Sequence, residues 1–394
     1  MFVRGERIVT EQGIVGGILN VEQGRITEIL PLSARVAVTE DAGKNWILPG
    51  IIDTHNHGTM GYSLMSAQLD NEKAVRGYLK GLASQGVTAC LATACVDLFS
   101  TVAAVSRTEI DGARPIGIHS EGPYLNRVGE KGIDRGHPDI EIGYLEHMVN
   151  RAEGMLKLVA IAPELPGAQK AIEFLTSHGV RCAFAHSNAD YREALQSFEW
   201  GITVTTHTAN VMSGIHHRRM GGLGACLLND EVYNELICDG LHVSNEMIEL
   251  MLRVKCNPLE KVMMVSDNVP MAGAPAGRYR VSGMEFVNVD EQGYCLTDTG
   301  RLMGSTLPVI RGMRNLKENL NLPLEDIVKM SSRNPARVYG ADNKGVLAAG
   351  KDADFILVSD DFQVLKTFVE GRCVFDREKE SDLFNPEFLK ECAV

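Results

Sequence analysis

Eight short apolar runs divide the middle of this chain, and each stops at a polar residue, several of them of metal-binding type. The first reads Ile47-Leu48-Pro49-Gly50-Ile51-Ile52-Asp53-Thr54-His55-Asn56-His57, and later ones stop at Glu121, His186, His207, His242 and Asp267. A run of about four to eight apolar residues between turn signals suits a strand buried on both faces. Helix-like segments separate the runs. After the first, Asp70 is placed to cap a helix whose buried face carries Ala74, Val75, Tyr78, Leu79 and Leu82, and Gly86 ends it. Further strands are predicted at 87–95, 116–121, 158–164, 182–186, 202–207, 235–239 and 262–267. An alternation of strand and helix that reaches eight predicts an α/β fold of the (β/α)8 barrel type rather than an open sheet. Polar residues at the C-terminal ends of such strands gather at one mouth of the barrel.

The two ends of the chain read differently. Residues 16–26 resemble two strands joined at a tight turn, and 354–358 and 364–369 are strand-like with a turn at Glu370-Gly371-Arg372. Each end alone is too small to bury much surface. Together they predict one small β-sandwich domain built from residues 1–48 and 342–394, with the barrel over 49–341.

A net charge of −12 argues against nucleic-acid or anionic-membrane partners but allows a small anionic substrate held by a local basic cluster. The N-terminus, Met-Phe-Val-Arg-Gly-Glu-Arg, lacks the apolar core of a signal peptide. No stretch approaches the ~20 apolar residues of a membrane span. Nine cysteines, an odd count without C-x-x-C spacing, read as free thiols in a reducing cytoplasm.

The chemistry sits at the strand ends. His55 and His57 are two residues apart, and residues i and i+2 of a strand point the same way, so two imidazoles aim at one point. His119 and Glu121 repeat that spacing. A lone buried histidine is usually a satisfied core residue, but His186 and His207 on successive strands, with Glu121 two strands earlier, suit a metal shell. Asp267 follows Met263-Met264-Val265-Ser266 and is costly to bury unless paired or functional. Beside a metal it can accept a proton and pass it on. His216-His217-Arg218-Arg219 is the basic knot near these residues, and a guanidinium binds phosphate through two parallel hydrogen bonds.

The set Pro49-Gly50-Ile51-Ile52-Asp53-Thr54-His55-Asn56-His57-Gly58, His186, His207 and Asp267, with 345–354, resembles the amidohydrolase superfamily. Within it the chain is similar to the N-acetylglucosamine-6-phosphate deacetylases. That likeness rests on His119-Ser120-Glu121-Gly122-Pro123-Tyr124-Leu125-Asn126, Ala162-Pro163-Glu164, His186-Ser187-Asn188-Ala189, Asp239-Gly240-Leu241-His242 and Leu302-Met303-Gly304-Ser305. The resemblance implies that Glu121, His186 and His207 hold a catalytic divalent metal. His55 and His57, with Glu121, would form a second metal position. Zinc leads the metals it implies, with iron, manganese and cobalt also suited to nitrogen and oxygen ligands. Asp267 would carry the proton, and His242 would assist the reacting carbonyl. Asn210, Val211, His242, Leu302, Met303 and Gly304 would contact substrate. Arg218 would bind phosphate, from the partner subunit in some relatives, which implies a homodimer.

The implied reaction removes the acetyl group from an N-acetylhexosamine 6-phosphate, N-acetylglucosamine 6-phosphate first. Another N-acyl or cyclic amide substrate, such as N-acetylgalactosamine 6-phosphate, is the alternative. Binuclear amidohydrolases that open cyclic amides commonly carry a carboxylated lysine at the end of strand four. Here that strand ends at Pro163-Glu164 and Lys157 lies at its other end. A catalytically dead scaffold would have lost ligands, and no core ligand is missing. Two departures touch substrate recognition rather than the metal shell. After Lys131-Gly132, where relatives continue with Ala-His, this chain reads Ile133-Asp134-Arg135-Gly136-His137. After Asp267 it reads Asn268-Val269-Pro270-Met271-Ala272-Gly273.

Overall fold

The computed structural model describes residues 1–128, 133–134, 138–280 and 286–392. Eight parallel strands form the central sheet in chain order. They are Ile51–Asp53, Val87–Thr93, Arg114–Glu121, Leu156–Ile161, Arg181–Phe184, Ile202–Thr205, Tyr233–Ile237 and Val262–Val265. The apolar runs are continuous because both faces of each strand are covered. Leu91, Leu158, Ala160, Ala183 and Met263 point into the barrel and pack together. Their neighbours Cys90, Ala92, Val159, Ile161, Cys182, Phe184, Val262 and Met264 face the helices. Alternation is present, but both phases are apolar. Val338 and Tyr339 join the interior cluster. They sit at the closed end, where the Arg181 guanidinium donates to the Val338 carbonyl at 2.9 Å.

The first barrel helix, Asn71–Ser84, has the predicted cap: Asp70 accepts from the Lys73 amide at 2.9 Å. Such a cap contributes about 1 kcal/mol. Ala74, Val75, Tyr78, Leu79 and Leu82 are buried as expected. Gly86, at φ 84°, takes the left-handed conformation that ends the helix.

The strands stop sooner than the sequence suggested. Strand one pairs only to Asp53, strand five to Phe184, strand six to Thr205, strand seven to Ile237 and strand eight to Val265. His186, His207 and Asp267 lie two residues beyond their strands, where the backbone leaves the sheet, whereas His242 lies five residues past the end of strand seven. Strands one and eight face each other across the seam, and bonds just past the ladder close it. Asp53 accepts from the Ser266 hydroxyl at 2.6 Å and the Ser266 amide at 3.2 Å. The Asp267 amide donates to the His55 carbonyl at 2.9 Å, and the His57 amide to the Asn268 carbonyl at 2.7 Å.

Both chain ends enter one small sheet. Its order is Arg372–Asp376, Val364–Val369, Phe355–Val358, Trp46–Pro49, Phe2–Thr10, Gly13–Glu22 and Arg25–Leu30, with Glu40–Asp41 beside Phe2–Thr10. The join is the antiparallel pairing of Phe355–Val358 with Trp46–Pro49. Val3, Ile8, Leu19, Ile26, Ile47, Phe355 and Phe368 form its core, which makes the β-sandwich expected from the two ends. An unanticipated antiparallel sheet, Gly277–Arg280, Phe286–Val289 and Cys295–Thr297, follows strand eight. Phe388, Leu389 and Cys392 of helix Pro386–Cys392 pack on its cluster with Val269 and Met271, away from the small domain.

Candidate active site and metal centre

The loops after the strands aim the histidines and Asp267, while strand three itself carries Glu121. His186, His207 and Asp267 each lie two residues past their strand and have positive φ, 46°, 30° and 52°. A non-glycine residue in that region costs about 1–3 kcal/mol. Each left-handed residue turns its side chain over the barrel mouth, so the strain coincides with the place where polar groups converge. Glu121 ends strand three.

Four imidazoles meet two carboxylates there. His186 Nε2 and His207 Nε2 lie 2.9 and 3.0 Å from Glu121 Oε1 and 3.1 Å from each other. His55 Nε2 and His57 Nε2 are also 3.1 Å apart. His57 Nε2 is 3.0 Å from Glu121 Oε2, and His55 Nε2 is 3.6 Å from Oε1. Asp267 Oδ1 stands 3.4 Å from both His55 Nε2 and His57 Nε2. Glu121 therefore joins two subclusters: one oxygen serves His186 and His207, the other His57.

The electrostatics ask for positive charge. Burial opposes ionisation of Glu121, yet His55 and His186 hold its carboxyl well below the ordinary carboxylate range. Asp267 is likewise depressed despite burial, by His55 and His57. The protein groups alone answer with protons. His57 is pushed up to about 10 and His55 is raised, both against burial and through Glu121 and Asp267. Burial keeps His207 below its ordinary value, and His119 well below.

The donor set fits a divalent metal. Ligands at about 2.0–2.1 Å around a tetrahedral ion lie about 3.3 Å from one another, close to the spacings seen here. Two imidazole nitrogens 3.1 Å apart cannot both carry protons toward each other without repulsion, but both can offer lone pairs to one cation. Among the described residues two groups have ligand atoms all within 4.8 Å of one another: His55, Glu121 and His207, and His55, His57 and Asp267.

The remaining predicted residues surround the cluster to different degrees. His242 is held by Asp239, which accepts from its Nδ1 at 2.7 Å and from the Leu241 and His242 amides at 2.9 Å. Its Nε2 is buried and faces the Gly304 backbone. Gly304, at φ 60°, packs where a Cβ would meet Val269 at 2.4 Å, and the Ser305 amide donates to the Asp267 carbonyl at 2.9 Å. Leu302 and Met303 on the same strip are half-buried. Asn210 folds back, donating from Nδ2 to the His207 carbonyl at 3.2 Å. The Val211 carbonyl accepts from the Ser187 amide at 3.2 Å, bracing the His186 loop. Arg218 is not drawn into the cluster: it is exposed on the segment 214–220 and makes no ion pair among the described residues. Residues 131–132 and 135–137 of the altered loop lie outside the described residues.

Sequence reading gave no role to three acids. Asp53 closes the seam, and burial lifts it to about 6. Glu164 holds the turn after His186, accepting from the Ser187 hydroxyl at 2.7 Å, the Asn188 backbone amide at 2.6 Å and the Asn126 side-chain Nδ2 at 2.9 Å. Glu235 is buried inside the barrel, and burial lifts it to about 7. An acid inside an apolar run was the available signal for Glu235. Nothing local marked which way it pointed.

The chain is similar to known proteins over most of its length. Residues 46–374 match the amidohydrolase family. The chain is 33% identical to an N-acetylglucosamine-6-phosphate deacetylase of Vibrio furnissii, over 93% of this chain and 90% of that protein. It is 31% identical to an N-acetylgalactosamine-6-phosphate deacetylase of Escherichia coli O157:H7, over 94% and 98%. A solved N-acetyl-D-glucosamine-6-phosphate deacetylase of Mycobacterium smegmatis, an aspartate-to-alanine variant in complex with N-acetyl-D-glucosamine-6-phosphate, superposes with a TM-score of 0.82 at 26% identity, covering 95% of this chain and 99% of that one.

Proposed function

The chain belongs to the amidohydrolase family, and from that membership we propose that it removes the acetyl group from an N-acetylhexosamine 6-phosphate, N-acetylglucosamine 6-phosphate first, giving the amino sugar phosphate and acetate. The observation that carries the reading is the gathering of His55, His57, His186 and His207 around the two oxygens of Glu121, with Asp267 3.4 Å from two of those imidazoles. Glu121, His186 and His207 would hold the catalytic metal, and His55, His57 and Glu121 a second. A bound divalent metal supplies hydroxide near neutral pH by lowering the pKa of its water to about 7, and it polarises the carbonyl.

The chain's own residues do the rest. Asp267, ionised because its pKa lies below the ordinary range, accepts the proton of the attacking water. The new C–O bond forms and the C–N bond breaks, and Asp267 returns that proton to the nitrogen, which leaves as a neutral amine. His242 gives its Nδ1 proton to the Asp239 hydrogen bond, so it can donate from Nε2 only as an imidazolium. Its raised pKa favours that form, and the imidazolium stabilises the developing oxyanion. Asn210, Val211, Leu302, Met303 and Gly304 border the acetamide and sugar, and Arg218 takes the phosphate.

Zinc is the metal of choice for this nitrogen and oxygen shell, with iron, manganese and cobalt next. Exposure of Arg218, with Ile215 and Met220 beside it, supports a homodimer in which this segment reaches the partner's site. A cytoplasmic location is supported by nine free cysteines. No helix among the described residues is long and apolar enough to cross a membrane. Glu164, bound to the His186 loop rather than to the cluster, stands where a carboxylated lysine would serve cyclic-amide hydrolysis, so the deacetylase reading is favoured. The test is acetate release from N-acetylhexosamine 6-phosphates and their unphosphorylated forms, beside cyclic ureides, with metal measured on the same sample. Preference for the galactosamine epimer selects the alternative substrate. Ureide opening without acetate release, in metal-loaded protein, overturns both.

A further inference from the structure

Glu235 lies midway along strand seven and is fully buried inside the barrel. Its Oε1 accepts from the Thr54 hydroxyl at 2.7 Å. Its Oε2 has no hydrogen-bond partner. His55 Nδ1 lies 4.0 Å from that oxygen, is also fully buried, and also lacks a partner. The Tyr339 hydroxyl approaches the same carboxylate from the closed end of the barrel. A carboxylate is rarely kept in such a place unless it serves a nearby positive or proton-bearing group.

His55 turns its other nitrogen, Nε2, toward Glu121 and Asp267. A neutral imidazole that offers its Nε2 lone pair must keep its proton on Nδ1, and the partner of that proton fixes the tautomer and the ring angle. We infer that Glu235 is a positioning residue that faces the Nδ1–H of His55 as its hydrogen-bond acceptor, holding the proton on Nδ1, and thereby makes the His55–His57 position, as distinct from the Glu121–His186–His207 position, competent to hold a metal ion. The inference rests on the metal reading given under Proposed function. It adds that occupancy of the second position is decided by a residue on the far side of the ring, which touches neither metal position. Thr54 is part of the device. Its hydroxyl pins one carboxylate oxygen and leaves the other toward His55. The adjacency is specific to strand-seven register, because residues 234 and 236 of the same strand point outward to Cys226 and into the helix-facing core.

The experiment measures binding of zinc to full-length protein by chelator competition, with total metal by mass spectrometry. Wild type, Glu235→Leu and Glu235→Gln are compared, and thermal melts report folding. Wild type is expected to bind two ions. Glu235→Leu should bind one with wild-type affinity and the other roughly 10- to 100-fold more weakly, the range for loss of a partner behind a ligand. Glu235→Gln, which keeps the size and the Thr54 contact, should weaken the same ion about tenfold if the leucine variant does not fold. Wild-type affinities for both ions in the variants overturn the inference. So does equal weakening of both ions, which would mean a merely structural role. A single ion in the wild type also overturns it while leaving a mononuclear hydrolase standing. A folded wild type that binds no zinc removes the metal reading itself.

Discussion

His242 Nδ1 and Asp239 Oδ2 lie 2.7 Å apart, with both side chains almost fully buried at the mouth of the barrel. Burial pulls the histidine pKa down, but the hydrogen bond and charge of Asp239 outweigh it, and the net shift is upward from 6.5. Asp239 moves the other way, below 3.8, as His242 outweighs burial. Activity that needs the imidazolium is kept below the raised pKa and lost as pH rises through it. Asp239→Asn removes the anion and lets burial dominate, so the alkaline limb of kcat/KM should shift to lower pH. An alkaline limb that stays in place in this variant contradicts the assigned role.

The same pair gives a stability window. A raised histidine contributes fully below 6.5 and loses its contribution as pH climbs through the folded value, and a lowered aspartate contributes above 3.8 and loses it as pH falls through the folded value. Wild type minus Asp239→Asn stability, from denaturant melts, should therefore be largest between those two values and shrink on either side. A difference independent of pH would mean that the pair acts only through packing.

Asp267→Asn keeps size and hydrogen bonding but removes the proton acceptor beside His55 and His57. Turnover should fall roughly 100- to 10,000-fold, the usual contribution of a positioned acid–base group. The ion at Glu121, His186 and His207 should remain. Steady-state kinetics and metal content on one preparation check both halves, and near-normal turnover would remove Asp267 from the chemistry.

Chelation should lower the melting temperature. Four inward imidazoles and two carboxylates form a ready site only in the folded chain, so any bound ion favours that state. The contribution is about 2.7 kcal/mol when free metal exceeds Kd a hundredfold. Scanning calorimetry with and without chelator, then with zinc restored, reads it. An unchanged transition would mean the cluster binds no ion at that concentration.

Gly304→Ala meets two obstacles. The backbone sits at φ 60°, and the added methyl would stand 2.4 Å from Val269. A loss of about 1–3 kcal/mol is expected from the overpacking. Because the next residue donates to the Asp267 carbonyl, kcat should suffer too. Denaturant melts and kinetics together distinguish this from a silent change.

Arg218→Ala should act on phosphorylated substrates alone. The side chain is exposed and unpaired among the described residues, so folding should be unaffected. KM for an N-acetylhexosamine 6-phosphate should rise about tenfold or more, as loss of a charged bidentate contact costs about 1.5–3 kcal/mol. The unphosphorylated sugar should be turned over as before. Equal effects on both substrates would place Arg218 away from the phosphate.

Much of this molecule could be read before its structure. The apolar runs gave all eight barrel strands because both strand faces are covered, and Asp70 and Gly86 bounded the first helix through local backbone chemistry. The inserted sheet of Gly277–Arg280, Phe286–Val289 and Cys295–Thr297 was missed, since such short alternating segments look like turns and loops when no neighbour is specified. The strand ends were drawn too long because His186, His207 and Asp267 follow apolar runs, yet each adopts a left-handed backbone set by the loops they touch.

The residue types at the barrel mouth follow from the sequence alone: histidines, a glutamate and an aspartate must appear where apolar runs end, and spacing says which strand each one follows. What only the tertiary structure decided is which atoms meet. Glu121 divides its two oxygens between His186 with His207 and His57, Asp53 closes the seam on Ser266, Asp239 orients His242, and Glu235 stands behind His55. Periodicity along one strand reports burial and facing. Contacts between residues 65, 86 or 213 positions apart depend on register and closure, which are properties of the whole sheet.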